Sequence, residues 1–211
     1  MGAAERWGPR PGSLTPYIHQ HNNQNNMTYP RRLAFLAPLT MLAACSVVAT
    51  PYSPSVENIQ MLKNASPVQA RIGDFRSLDG GDNHYPLQVR ANVMRSPVGS
   101  SFADYLSNAV TQELTLAGTL SPSASVELGG ILLQNKVDVG VGTGVGTISA
   151  RFVVKRDGAV RYDQVKTVRS EWDSSFAAAI AVPKATQQYP LVVQKLLGSL
   201  YSDPAFISAI R

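Results

Sequence analysis

Ser101-Phe102-Ala103-Asp104-Tyr105-Leu106-Ser107-Asn108-Ala109-Val110-Thr111-Gln112-Glu113-Leu114-Thr115-Leu116-Ala117-Gly118 is where the hydrophobic period of the chain changes from strand-like to helical. Phe102, Leu106, Ala109, Val110, Leu114 and Ala117 fall on one stripe at helical spacing. Ser101 and Asp104 form a variant capping box, in which the serine oxygen accepts from the first free N–H groups and the carboxylate reaches back. Gly118 supplies the left-handed residue that stops such a helix. A helix with one apolar stripe has to bury it, and the alternating segments on either side offer a sheet. Its polar face carries no Lys or Arg, which disfavours a role on a membrane surface.

Downstream, Val126 and Leu128 face one side. After Gly129-Gly130 the apolar set moves to Ile131, Leu133, Val137 and Val139, which predicts a bulge at the glycine pair. Ile148, Ala150, Phe152 and Val154 then point one way, with Thr147, Ser149, Arg151 and Lys155 on the other. Asp157-Gly158 is a two-residue hairpin signal, and Val160, Tyr162, Val168 and Trp172 return on one parity. Upstream, Val68 to Phe75 alternates with Val68, Ala70 and Ile72 on one face, and Leu87 to Val93 reads as a second strand. Between them, Asp79 to Asn83 is a turn cluster that lacks calcium-loop spacing and the closing Glu. Phe176 to Val182 is open between strand end and helix. Pro190 opens a helix with Val193, Leu196, Leu197 and Leu200, and Asp203-Pro204 caps a short last one. The predicted order is β-β-α-β-β-β-α, an α+β fold in which helices pack on one face of a mainly antiparallel sheet.

Gly140-Val141-Gly142-Thr143-Gly144-Val145-Gly146-Thr147 invites a phosphate-loop reading, but a strand follows it and no Walker lysine is present. A phosphate site needs a helix N-terminus there. The segment reads as a strand–loop–strand hairpin whose bare glycine face admits another backbone. Val139, Gly140, Val141, Gly142, Gly144, Val145 and Gly146 are therefore the candidate surface for a partner, a flexible tip being the other reading of the same residues.

Arg31-Arg32 precedes an apolar run from Leu33 to Ala44 of about 12 residues, too short for the ~20 that span a bilayer. A basic start, a short apolar middle and small residues at the end describe a secretory signal. Its close, Leu42-Ala43-Ala44-Cys45, resembles the bacterial lipobox, in which the thiol receives diacylglycerol and the chain is cut before the cysteine. Leu42, Ala43 and Ala44 are then the peptidase recognition residues, and Cys45, the only cysteine, is the lipidation site. The expected organisation is a disordered upstream extension at 1–26, with translation starting at Met27. A signal peptide at 27–44, a lipidated tether at 45–67 and a single periplasmic α+β domain at 68–211 follow. A tether of ~22 residues reaches up to ~70 Å, and Val56 to Leu62 has some apolar content, which leaves docking on the domain open. Ser46 in place of Asp, by analogy with enterobacterial lipoproteins, favours passage to the outer membrane.

Of the formal charge of +5, +3 lies before Cys45, in the extension and the signal together. From Cys45 onward 15 Lys and Arg face 13 Asp and Glu, without the clustered basic face that nucleic acid requires. His84 is the sole histidine of that part, and no Ser-x-x-Lys, His-Glu-x-x-His or Gly-x-Ser-x-Gly is present. The expected protein is not an enzyme and uses no cofactor or metal.

The order of elements behind a lipobox resembles the YajG family of outer-membrane lipoproteins. The likeness is carried by Leu42 to Cys45, the Phe102 to Ala117 helix, Val168 to Phe176 and Asp203 to Ile207. The resemblance implies an α+β fold and no catalytic residues. It leads to the expectation of an interaction or accessory subunit, membrane-bound through N-terminal acyl chains and meeting a protein partner in the envelope. The alternative is an auxiliary component of a lipid-transport system. That reading needs a pocket for lipid or another apolar ligand between the Phe102 to Ala117 helix and the sheet.

Overall fold

A computed structural model of the chain describes residues 45–211 apart from Ser66, Asp79, Gly81 and Asp82. The signal residues Leu42, Ala43 and Ala44, and everything before them, lie outside the described residues. The elements are β1 (Ser46–Val48), α1 (Val56–Ala65), β2 (Ala70–Ser77), β3 (Leu87–Val89), β4 (Asn92–Arg95) and α2 (Phe102–Ala117). They continue with β5 (Val126–Val139), β6 (Thr143–Arg156), β7 (Ala159–Asp173), α3 (Ala178–Tyr201) and α4 (Pro204–Ala209). The fold is α+β, with one sheet ordered β2-β5-β6-β7 and a smaller one ordered β1-β4-β3.

α2 forms as the spacing predicts. Ser101 accepts from the Asp104 amide while the Asp104 side chain accepts from the Ser101 amide, and Gly118 stops the helix at φ +78. β2 and β5 are parallel, so a crossover must join them, and α2 supplies it. β5, β6 and β7 then run antiparallel, with Asp157 and Gly158 both at positive φ in the β6–β7 turn. Leu106, Ala109, Val110 and Leu114 of α2 are buried, as are Leu128, Ala150, Phe152 and Val154 of the sheet and Val193, Leu196 and Leu197 of α3.

The predicted bulge is displaced. The phase of β5 changes between Leu132 and Gln134, where its register with β6 slips. What the glycine pair accompanies is an irregularity of the neighbouring strand: the register of β2 against β5 breaks between Ile72 and Phe75. A Cβ on Gly129 would lie 2.8 Å from the Asp74 carbonyl oxygen, and one on Gly130 would lie 2.6 Å from the Phe75 ring. Glycine is present there because β2 leans onto β5.

Leu87 to Val93 is not one strand. Arg90 (φ +55) and Ala91 turn it into the β3–β4 hairpin. The helix expected from Pro190 starts earlier, at Ala178, and runs through both Pro183 and Pro190. A proline inside a helix frees the carbonyl four residues back. For Pro190 that carbonyl belongs to Thr186, and it accepts from the Thr50 amide at 3.1 Å.

The segment read as a tether is built into the domain. β1 pairs parallel with β4, the Tyr105 hydroxyl donates to the Thr50 carbonyl at 2.9 Å, and Gln194 donates to the Ser53 carbonyl at 2.7 Å. α1 packs on α2 and α3, its Asn58 coming within 3.0 Å of where a Cβ on Gly198 would stand. All of this converges on Glu113, which has 0 % exposure. Its Oε1 accepts from the Tyr52 hydroxyl (2.6 Å), the Ser55 amide (3.0 Å) and Asn58 Nδ2 (3.1 Å). Burial pushes the Glu113 carboxyl up, against the lowering effect of those donors.

Candidate functional site

β1 begins at Ser46, so the exposed Cys45 stands directly against the domain. Its carbonyl accepts from the Val93 amide at 3.2 Å, and Ser46 is in register with Val93. Cys45 therefore lies beside the strand that leaves the Arg90–Ala91 turn.

Arg90 organises this end of the molecule. Its Nε donates to the Val139 carbonyl at 2.8 Å and its Nη2 to the Gly140 carbonyl at 2.9 Å, both where β5 ends. Nη2 also donates to Ser175 at 2.6 Å, and Nη1 donates to Phe176 at 2.8 Å, both in the β7–α3 connection. A planar fork with five N–H groups can bind four carbonyls at once, whereas an ammonium cannot. These contacts also account for a non-glycine residue at positive φ, a conformation that costs on the order of 1 kcal/mol. Arg90→Lys is expected to destabilise the protein by about 2 kcal/mol, from the lost charge-assisted bonds. It should also speed amide exchange at Gly142 and Ser174 to Ala177, read by hydrogen–deuterium exchange. Unchanged exchange there would mean that the clamp is incidental.

The glycine-rich hairpin forms between β5 and β6, but its bare face is already occupied. A Cβ on Gly144 would overlap the indole of Trp172, and one on Gly146 would come 2.8 Å from Val192 Cγ2 of α3. The close approach that these glycines permit is therefore intramolecular. Val139 is buried with them, while Gly140, Val141 and Gly142 form the exposed tip. Val145 lies on the opposite side of the sheet, in a recess shared with Lys136, Asp138, Thr147 and Arg169. The positions singled out from sequence thus divide among a packed face, a tip and an open face.

A cleft of about 360 Å³ runs along β5 beyond the end of β2, against β3. Leu87, Val137 and Val139 give it apolar walls, and Asn135 lines it. Asn135 is 1 % exposed; its Oδ1 accepts from the Tyr189 hydroxyl at 3.2 Å while its Nδ2 has no partner. The pocket anticipated between α2 and the sheet is not where this cleft lies, because the inner face of α2 is filled by Leu106, Ala109, Val110 and Leu114. Arg90 and Asn135 are what sequence reasoning missed. Asn135 left one signal, an amide at an inward position of an otherwise apolar strand end.

No family model matches the chain, and no curated protein matches it. Among solved structures, it is similar to a Xanthomonas campestris protein described under family DUF330. The TM-score is 0.50 at 17% identity, covering 78% of this chain and 94% of that one. A hypothetical protein of Chlamydia trachomatis matches with TM-score 0.44 and 11% identity, over 68% of this chain and 99% of that one. A minor lipoprotein from Acinetobacter baumannii matches with TM-score 0.39 and 11% identity, over 66% and 94%. The likeness to the Xanthomonas protein is one of fold.

Proposed function

We propose that the chain is a lipid-anchored, non-catalytic protein of the bacterial envelope, of the YajG type, acylated on Cys45. It is held at the periplasmic face of the outer membrane, where it serves as an interaction or accessory subunit. One observation carries this reading: the lipobox ends on an exposed cysteine immediately before the first strand of the folded unit. Among the described residues, no helix is long and apolar enough to cross a membrane. Among the same residues, no group of three metal-ligating side chains is assembled.

The partner surface is the open face of the hairpin around Val145, where Lys136, Asp138 and Arg169 offer charges of both signs. A photo-crosslinking amino acid at Val145 in the lipidated chain, irradiated in native membranes, is expected to capture a discrete protein. The same group at Val160, on the far hairpin, should not. Absence of any protein adduct at Val145 would count against the accessory role. A second reading, binding of a lipid or another apolar ligand as an auxiliary component of lipid transport, is favoured by the unpartnered Asn135 amide in its apolar cleft. Lipid analysis of the same membrane preparation, with the chain purified away from its surroundings, decides between the two.

A further inference from the structure

We propose that the domain rests directly on the bilayer, with Val141, Phe176 and Ile180 seated in the lipid interface beside the acyl chains of Cys45. This rests on the anchored reading above and deepens it from an address to an orientation.

Position comes first. Cys45 lies alongside Asn92, about 5 Å away by strand spacing, because Ser46 pairs with Val93 in parallel. Asn92 is the first residue after the Arg90–Ala91 turn. Arg90 in turn holds the hairpin tip and the β7–α3 connection. The acylated residue and these two loops therefore share one end of the molecule, and β1 leaves no slack between lipid and domain.

That end is built for an apolar boundary. Val141 and Phe176 are each 80 % exposed and Ile180 is 61 % exposed. Single exposed apolar side chains are ordinary, but Val141 and Phe176 sit on two loops locked together by one guanidinium, and Ile180 is in the first turn of α3 directly after the second loop. Gly140 to Gly144 and Ser174 to Ile180 contain no charged residue, whereas the opposite tip reads Arg156-Asp157-Gly158-Ala159-Val160-Arg161. Backbone groups that leave water for a lipid interface need partners. Here the carbonyls of Val139, Gly140, Ser175 and Phe176 accept from Arg90. The Gly142 carbonyl accepts from the Ser174 amide, and the Gly140 amide donates to Thr143. These carbonyls are paired before the tip meets the membrane. An acyl anchor with adjoining apolar side chains is a two-signal arrangement for stable surface attachment.

The test uses the chain from residue 45 with Cys45→Ser and an N-terminal hexahistidine, held on phosphatidylethanolamine–phosphatidylglycerol vesicles that contain a nickel-chelating lipid. Val141→Cys, Phe176→Cys and Val160→Cys variants each carry one nitrobenzoxadiazole. All three positions are exposed, so labelling leaves the core intact. On vesicles, the labels at 141 and 176 are expected to brighten severalfold, shift to the blue and be quenched by nitroxide lipid, while the label at 160 stays as in solution. Equal responses at all three positions, or none at 176, would overturn the orientation. Because the vesicle tether bypasses the thioether, this outcome is independent of whether Cys45 is acylated in the cell, which labelled palmitate reports separately.

Discussion

Cys45→Ser is expected to abolish incorporation of labelled palmitate and to empty the outer-membrane fraction of the protein. Serine has no thiol to carry the thioether, and without it the cut before residue 45 does not follow. The variant should therefore keep residues 27–44 and migrate about 2 kDa above the mature form, from 18 retained residues at the mean residue mass. Buried methylenes contribute about 0.8 kcal/mol each, so even one lost acyl chain removes more attachment free energy than Val141, Phe176 and Ile180 can replace. The retained apolar run of Leu33 to Ala44 can still hold precursor at the inner membrane. The deciding measurement is therefore density-gradient separation of the two membranes, and not a simple pellet. The fold should be indifferent, since Cys45 is exposed and packs on nothing in the core. The soluble domain is expected to unfold within about 0.5 kcal/mol of the unsubstituted one. Wild-type mobility together with a full outer-membrane signal would dispose of the lipid anchor.

What could be read in the chain and what could not divides along the range of the interactions. α2 was legible because its capping box, stripe and terminal glycine all lie within Ser101 to Gly118. The β6–β7 hairpin was legible because Asp157-Gly158 adopts its turn by local preference. Arg90-Ala91 is different: neither residue type marks a turn, and Arg90 is held by carbonyls 49 to 86 positions away. The same holds at the candidate site. Glycines at 144 and 146 announced a close approach, but only the return of β7 shows that Trp172 makes it. Pro190 looked like a helix start because a proline in a helix interior leaves a carbonyl unused. Thr50, 136 residues before Thr186, uses that carbonyl. Composition misled most in the N-terminal segment: three prolines and scattered serines suggested a spacer, while its anchoring groups, Tyr52 and Asn58, waited for an acceptor on α2.

That acceptor is the place where one substitution should cost most. Glu113 follows Leu106 and Val110 at the spacing of the buried stripe, so a carboxylate occupies a core position of α2. Glu113→Ala would leave the Tyr52 hydroxyl, the Ser55 amide and Asn58 Nδ2 without their shared oxygen. Asn58 Nδ2 keeps the Gln194 carbonyl at 3.0 Å, and each buried donor left unpaired costs about 1–3 kcal/mol, offset in part if water enters the space left behind. A net loss of about 3 kcal/mol is expected, or roughly 10 °C in Tm for a domain of this size. Hydrogen exchange should rise first over residues 49–62, as α1 and the segment leading into it come away from α2 and α3. Glu113→Gln keeps an acceptor and should cost about 1 kcal/mol, and it also isolates the charge. The folded-state carboxyl titrates above its usual value near 4.5 because of burial. Below the unfolded value the group is neutral in both states and exerts no penalty. As pH rises from there through the folded pKa, the native state increasingly bears the cost of a buried charge, which then stays constant. The stability of the unsubstituted protein minus that of Glu113→Gln, from urea unfolding, should therefore fall as pH is raised from 4.5 and level off. A difference that is flat with pH would mean that burial leaves the folded carboxyl titrating where the unfolded one does. A Glu113→Ala variant as stable as its parent would mean that the bonds to Glu113 add nothing to the hold on α1.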